Sequence, residues 1–143
     1  METQRSLEEI LRGTPASAQP KTCLIVDDST VVRRLAARMF QELGYEVREA
    51  ANGLQAVASC KESAPAIILL DWNMPVMDGL SCLMTLRGTK LPSRPRIMLC
   101  TTENSIDKIQ TALSAGADEY IIKPFDRDVL HDKLVHLGLE QPA

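Results

Sequence analysis

The run Ile67-Ile68-Leu69-Leu70-Asp71 constrains this chain more than any other stretch. Its uninterrupted apolar residues suit a parallel strand buried on both faces, and its carboxylate falls at the strand's C-terminal end, where open α/β sheets place their ligands. The segment continues as Trp72-Asn73-Met74-Pro75 and closes with Asp78-Gly79. Other short apolar runs also end in chemistry. Leu24-Ile25-Val26 ends in Asp27-Asp28, Ile97-Met98-Leu99-Cys100 in Thr101-Thr102, and Tyr120-Ile121-Ile122 in Lys123-Pro124. Laid side by side and parallel, these strands would bring three carboxylates, a hydroxyl and an ammonium to one edge of a sheet. Asp71 is the candidate reactive group.

The segments between the strands carry helical spacing. Val32, Leu35, Ala36, Met39 and Leu43 recur at 3.6-residue intervals, with Gly44 as a stop. Tyr45 to Glu49 alternates apolar and charged residues, as an edge strand does. After the Asn52-Gly53 turn, Leu54 to Lys61 predicts a helix with Leu54, Val57 and Ala58 inward. Gly79 to Leu86 predicts another, ended by Gly88. Ser105 is placed to cap a fourth, with Ile106, Ile109 and Leu113 on one face and Gly116 as its end. A fifth follows from about Asp126, with Leu130, Leu134 and Leu137 in step. Five strands each followed by a helix predict an α/β fold, a doubly wound sheet with helices on both faces. Right-handed crossovers and an edge second strand favour a flavodoxin-like (βα)5 sheet of order 2-1-3-4-5.

At 143 residues the chain is expected to hold one folded unit, residues 21–138, flanked by an extension at 1–20 and a tail at 139–143. Within the extension, Ser6 to Leu11 has the spacing of a short helix, and Gly13 to Pro20 has the composition of a linker. A net charge of -3, from 16 basic and 19 acidic residues, gives no electrostatic reason to expect nucleic-acid or membrane binding. Neither a signal peptide nor an 18-residue apolar run is present, so a soluble cytoplasmic protein is expected. Cys23, Cys60, Cys82 and Cys100 lack metal-binding or disulfide-framework spacing and read as buried thiols. His131 and His136 read as surface residues.

Three acids in one pocket repel unless a cation neutralises them, and Mg²⁺ suits a few carboxylates plus waters and a phosphate. Asp28 and Asp71 are the candidate direct ligands, with Asp27 acting through water and the Asn73 carbonyl as a further donor. An aspartate can also attack phosphorus to give an aspartyl phosphate. Phosphoryl transfer spreads negative charge over equatorial oxygens, which Lys123, the Thr101 hydroxyl and the amides after Asp71 could meet.

Taken together, Asp27-Asp28, the Asp71 to Gly79 segment, Thr101 and Lys123-Pro124-Phe125 resemble the receiver domain of two-component response regulators, and in particular the single-domain chemotaxis regulators. The resemblance spans Lys21 to Leu137. It implies that Asp71 accepts phosphate from a histidine kinase, with Asp27, Asp28 and Asn73 serving Mg²⁺ and Lys123 contacting the acyl phosphate. Thr101 would be drawn toward the phosphate, Tyr120 would rotate inward, and the surface of the fourth helix, fifth strand and fifth helix would change. A cis Lys123-Pro124 bond is implied as well. Asn73 and Glu103 occupy positions that tune dephosphorylation in the family. Phe125 and Lys133 match an output surface that binds the flagellar motor switch. Asn104 stands where those regulators have a small apolar residue, and Ser29 where they have an aromatic one.

The leading expectation is a stand-alone, monomeric receiver that signals by binding. A second is a shuttle or phosphate sink working through a histidine phosphotransfer protein. A third, an aspartate-nucleophile phosphohydrolase, is disfavoured because such sites resemble Asp-x-Asp, whereas Asn73 stands two residues after Asp71. Nucleotide binding is disfavoured by the lack of either glycine-rich phosphate motif.

Overall fold

Side chains alternate along each inner strand, and that alternation divides the core in two. The computed structural model describes residues 20–142. Five strands, β1 (Thr22–Val26), β2 (Glu46–Ala50), β3 (Ile67–Asp71), β4 (Arg96–Thr101) and β5 (Glu119–Ile122), alternate with five helices. These are α1 (Thr30–Glu42), α2 (Gly53–Glu62), α3 (Gly79–Gly88), α4 (Ile106–Ser114) and α5 (Arg127–His136). All pairings are parallel, in the order β2-β1-β3-β4-β5, the flavodoxin-like order expected. Leu24, Val26, Ile68, Leu70, Ile97 and Leu99 face α2, α3 and α4, and Cys23, Ile25, Ile67, Leu69 and Met98 face α1 and α5. Every residue of β3 is buried, as a central parallel strand requires.

Each strand-to-helix turn ends in a polar cap. Ser29, Asn52, Asp78, Ser105 and Asp126 accept hydrogen bonds from the backbone N–H three residues on. Each cap satisfies a donor that would otherwise be orphaned, a contribution of about 1 kcal/mol. Gly44 and Gly116 follow α1 and α4 at φ 94° and 114°, the left-handed region that ends helices.

The helix faces differ from expectation. In α1 the buried residues are Ala36, Ala37 and Phe40, while Leu35 is 55% exposed. Apolar residues there outnumber one face, and the rotation is decided by Phe40, which packs edge-on against Tyr45 at 5.2 Å. In α2, Gly53, Ala56 and Cys60 are buried, whereas Leu54 is 59% exposed and Ala58 also faces solvent. In α4 only Ala112 is buried, and Ile106 and Leu113 are exposed. On both helices small residues form the contact that lets the helix lie close to the sheet. Leu130, Leu134 and Leu137 are buried as expected. Strand β2 begins at Glu46 rather than Tyr45 and runs through Ala50.

The four cysteines are free and buried. Among the described residues no helix is long and apolar enough to cross a membrane. The helix expected at Ser6 to Leu11 and all of the expected linker but Pro20 lie outside the described residues. At the other end, Leu139 packs against the α1 and α5 side of the core, and Glu140 pairs with Lys21 at 2.8 Å.

Phe40→Ala should lower unfolding free energy by about 3–5 kcal/mol, and Leu54→Ala by no more than about 0.5 kcal/mol. Urea melts of the two variants check the helix faces, and similar losses would contradict them.

Candidate functional site

The register of the sheet assembles the site. Val26 pairs with Leu70, so Asp27, the next residue, lies level with Asp71 on the adjacent strand. Asp71 pairs with Cys100, and Thr101 pairs with Ile122, which places Lys123 just beyond the end of β5. The strand-end groups therefore converge from distant parts of the chain. The Lys123 ammonium lies 3.1 Å from Asp27 Oδ2 and 3.2 Å from Asp71 Oδ1. The Lys123-Pro124 bond is cis.

Backbone amides fix the acids further. Asp27 Oδ1 accepts from the Ser29 N–H at 2.8 Å, and the Trp72 N–H donates to the Cys100 carbonyl at 2.9 Å, tying the residue after Asp71 to β4. Gly79 closes the following loop, its N–H donating to the Trp72 carbonyl at 2.8 Å. A Cβ on Gly79 would sit 2.7 Å from Trp72 Cα, closer than real Cβ atoms approach backbone. That is the physical reason for glycine after Asp78, and expectation from sequence had given it no such role.

Asp27 and Asp71 are buried, and Asp28 is exposed at the mouth. Carboxylate oxygens of all three lie within 4.8 Å of one another. Burial, then the neighbouring Asp27 charge, raise the Asp71 pKa, while Lys123 and the Asn73 backbone amide oppose the rise without cancelling it. Burial also acts to lower the Lys123 pKa, but the hydrogen bond to Asp27 and the Asp71 charge outweigh it and leave the pKa raised. One ammonium against three carboxylates leaves the cluster net negative. A donor set of hard oxygens with excess charge fits a divalent cation such as Mg²⁺.

Thr101 is buried, and its hydroxyl accepts from the Glu103 N–H at 3.0 Å, so here it bonds its own loop. Exposed Glu103 pairs with Lys108 at 3.3 Å, and the Lys108 ammonium sits 5.0 Å over the Trp72 ring beside the site. Burial pushes the Cys100 thiol up to about 12, which keeps it un-ionised next to the acids. Tyr120, Phe125 and Lys133 lie outside the acidic cluster. The Lys133 ammonium stands 4.0 Å over the Tyr120 ring and 3.3 Å from Glu119 Oε1, and Phe125 packs against the α1 and α5 side of the core.

Comparison with known proteins gives the family and the fold of this chain. The family model described as "Response regulator receiver domain" matches residues 23–135. The chain is 40% identical over 113 residues to chemotaxis protein CheY1 of Helicobacter pylori, covering 78% of this chain and 91% of that protein. Chemotaxis protein CheY4 of Vibrio cholerae superposes with a TM-score of 0.77 at 33% identity, covering 82% of this chain and 98% of that one. The receiver domain of the sensor histidine kinase PA1611 from Pseudomonas aeruginosa, solved with a magnesium ion in its active-site cleft, superposes at 0.75 and 30% identity, covering 85% and 100%.

Three outcomes follow from the site. A raised Asp71 pKa means that ionising this group costs stability; the penalty is absent below its ordinary value of 3.8 and complete above the raised value. In metal-free buffer Asp71→Asn should therefore melt above wild type at neutral pH, with the gap closing toward pH 3.8. A constant gap across thermal melts would contradict this. Mg²⁺ at a hundredfold over its Kd should stabilise wild type by about 2.7 kcal/mol and Asp71→Asn far less. Gly79→Ala should cost about 1–3 kcal/mol by overpacking and weaken Mg²⁺ binding, read by denaturant melts and titration.

Proposed function

Because this chain belongs to the response regulator receiver domain family, we propose that it acts as a stand-alone receiver phosphorylated on Asp71 by a histidine kinase. The observation that carries this reading is the Lys123 ammonium held between Asp27 and Asp71, with Asp28 in reach of the same point. An Asp71 carboxylate oxygen attacks the phosphorus of a phosphohistidine. The new O–P bond forms as the P–N bond breaks, and the electron pair leaves on the imidazole nitrogen.

The chain's own groups serve that transfer. Asp28 and Asp71 would hold Mg²⁺ directly, with Asp27 reached through water and the Asn73 carbonyl as a further donor. When bound, the ion neutralises charge on the phosphoryl oxygens. Lys123 donates to a phosphoryl oxygen. The Thr101 hydroxyl accepts from Glu103 N–H, so its own proton remains available to donate to the phosphate. Drawing Thr101 inward opens space toward Tyr120, whose ring is covered by Lys133. Phosphorylation then shifts a two-state equilibrium through contacts made only in one state. Asn73 and Glu103, both exposed at the mouth, tune attack of water on the acyl phosphate.

The output surface is formed by α4, β5 and α5, where Ile106, Leu113 and Val129 are exposed apolar residues. Likeness to chemotaxis proteins favours a motility partner such as the flagellar motor switch, met by a cytoplasmic monomer through Phe125, Tyr120 and Lys133. Likeness to a receiver domain of a sensor kinase supports a second reading, a relay that passes phosphate to a histidine phosphotransfer protein. In either case the receiver unit is residues 21–138, with 1–20 an extension and 139–143 a tail whose Leu139 and Glu140 are anchored on that unit.

Acetyl phosphate with Mg²⁺ should add one phosphoryl group to wild type by intact mass and change Trp72 fluorescence. Removing the metal or making Asp71→Asn should abolish both signals. Multiple turnover of a small phosphate ester would favour a hydrolase instead. Phosphorylation that tightens binding to a motor-switch peptide supports the motility output, and binding to a phosphotransfer protein alone supports the relay.

A further inference from the structure

The acids of the site are held by a side chain that no part of the phosphotransfer chemistry uses. Arg33, on the second turn of α1, is 13% exposed. Its Nη1 donates to the Asp27 backbone carbonyl at 2.7 Å, its Nε to Glu49 Oε1 at 3.0 Å, and its Nη2 to Thr30 Oγ1 at 3.3 Å. One planar guanidinium thus ties together the end of β1, the edge strand β2 and the first turn of α1.

The carbonyl it grips belongs to the peptide unit joining Asp27 to Asp28. On the other side of Asp27, the backbone N–H donates to Ala50 at 3.2 Å, and the side chain is held by the Ser29 N–H and Lys123. Fixing that peptide plane leaves rotation about the Asp28 N–Cα bond as the backbone freedom that swings its Cβ, and the Ser29 N–H held on Asp27 Oδ1 limits that rotation from the far side. Asp28 is exposed and lies two residues past the end of β1, so little beyond these two contacts constrains it. We propose that Arg33 is a positioning residue for the cation site, its fork on the Asp27 carbonyl setting the peptide that aims Asp28 at the point shared with Asp71.

Glu49 is part of the device. It holds the guanidinium in the plane that reaches Asp27, and it offsets a positive charge that would otherwise oppose cation binding. A lysine could carry the charge but could not grip three acceptors in a fixed plane. The inference rests on the cation site of the proposed function, and its test separates the two.

Full-length wild type, Arg33→Lys, Arg33→Gln and Glu49→Gln are titrated with Mg²⁺ by Trp72 fluorescence, and amide hydrogen exchange is followed without metal. Both Arg33 variants should bind Mg²⁺ about 10-fold more weakly, as loss of groups supporting metal ligands commonly does. Glu49→Gln, at the rim, should weaken binding less. Exchange should quicken at Asp28 and Ser29 while the β3 and β4 amides stay protected. Wild type that fails to bind Mg²⁺ overturns the cation site itself. Wild-type binding with unchanged affinity in Arg33→Lys overturns only the positioning role, since charge would then suffice. Tighter binding by Arg33→Gln, or exchange quickened throughout the sheet, overturns it as well.

Discussion

One ammonium shared between two buried carboxylates holds the functional edge of this protein together. Lys123 lies close to both Asp27 and Asp71 at the ends of adjacent strands. Like unit charges about 4 Å apart repel by about 4 kcal/mol at an effective dielectric near 20, a sizeable share of a domain's net stability. Burial raises the Asp71 pKa most and the Asp27 charge adds to it, and the lysine offsets the two without cancelling them. Asp28 then adds a charge that nothing in the cluster balances. The site is therefore built to gain from a divalent cation.

The sheet supplies this arrangement at little entropic cost to the site. The strands are in register and buried, and a slip by one residue would turn each apolar set to the wrong face. The packing that gives β1, β3 and β4 their positions therefore also brings Asp27, Asp71 and Thr101 to one edge. Caps at Ser29, Asn52, Asp78, Ser105 and Asp126 start each helix a few residues after its strand, so the functional groups sit on short, anchored turns.

Strand ends were the most legible feature of the sequence, because a continuous apolar run that stops at a charged residue has one natural reading in a parallel sheet. The meeting of Asp27, Asp28, Asp71 and Lys123 followed from that, and the strand order from right-handed crossovers and the alternating edge strand. Helix faces were less legible. Helices α1, α2 and α4 carry more apolar residues than one face can bury, and small residues such as Ala56 and Ala112 decided which side approached the sheet. Contacts to backbone atoms left no pattern at all. Arg33 on the Asp27 carbonyl, Gly79 against Trp72 and the left-handed Val76 at φ 69° each depend on the path of a loop, and a β-branched residue is the last expected there.

Which side chain captures phosphorus decides what this site does. Protein treated with acetyl phosphate and Mg²⁺ can be reduced with borohydride, which converts an aspartyl phosphate to homoserine, and the modified residue located by peptide mass mapping. Homoserine at position 71 alone is the predicted result. Homoserine at 27 or 28, or phosphate retained on a hydroxyl with none reduced, would contradict it.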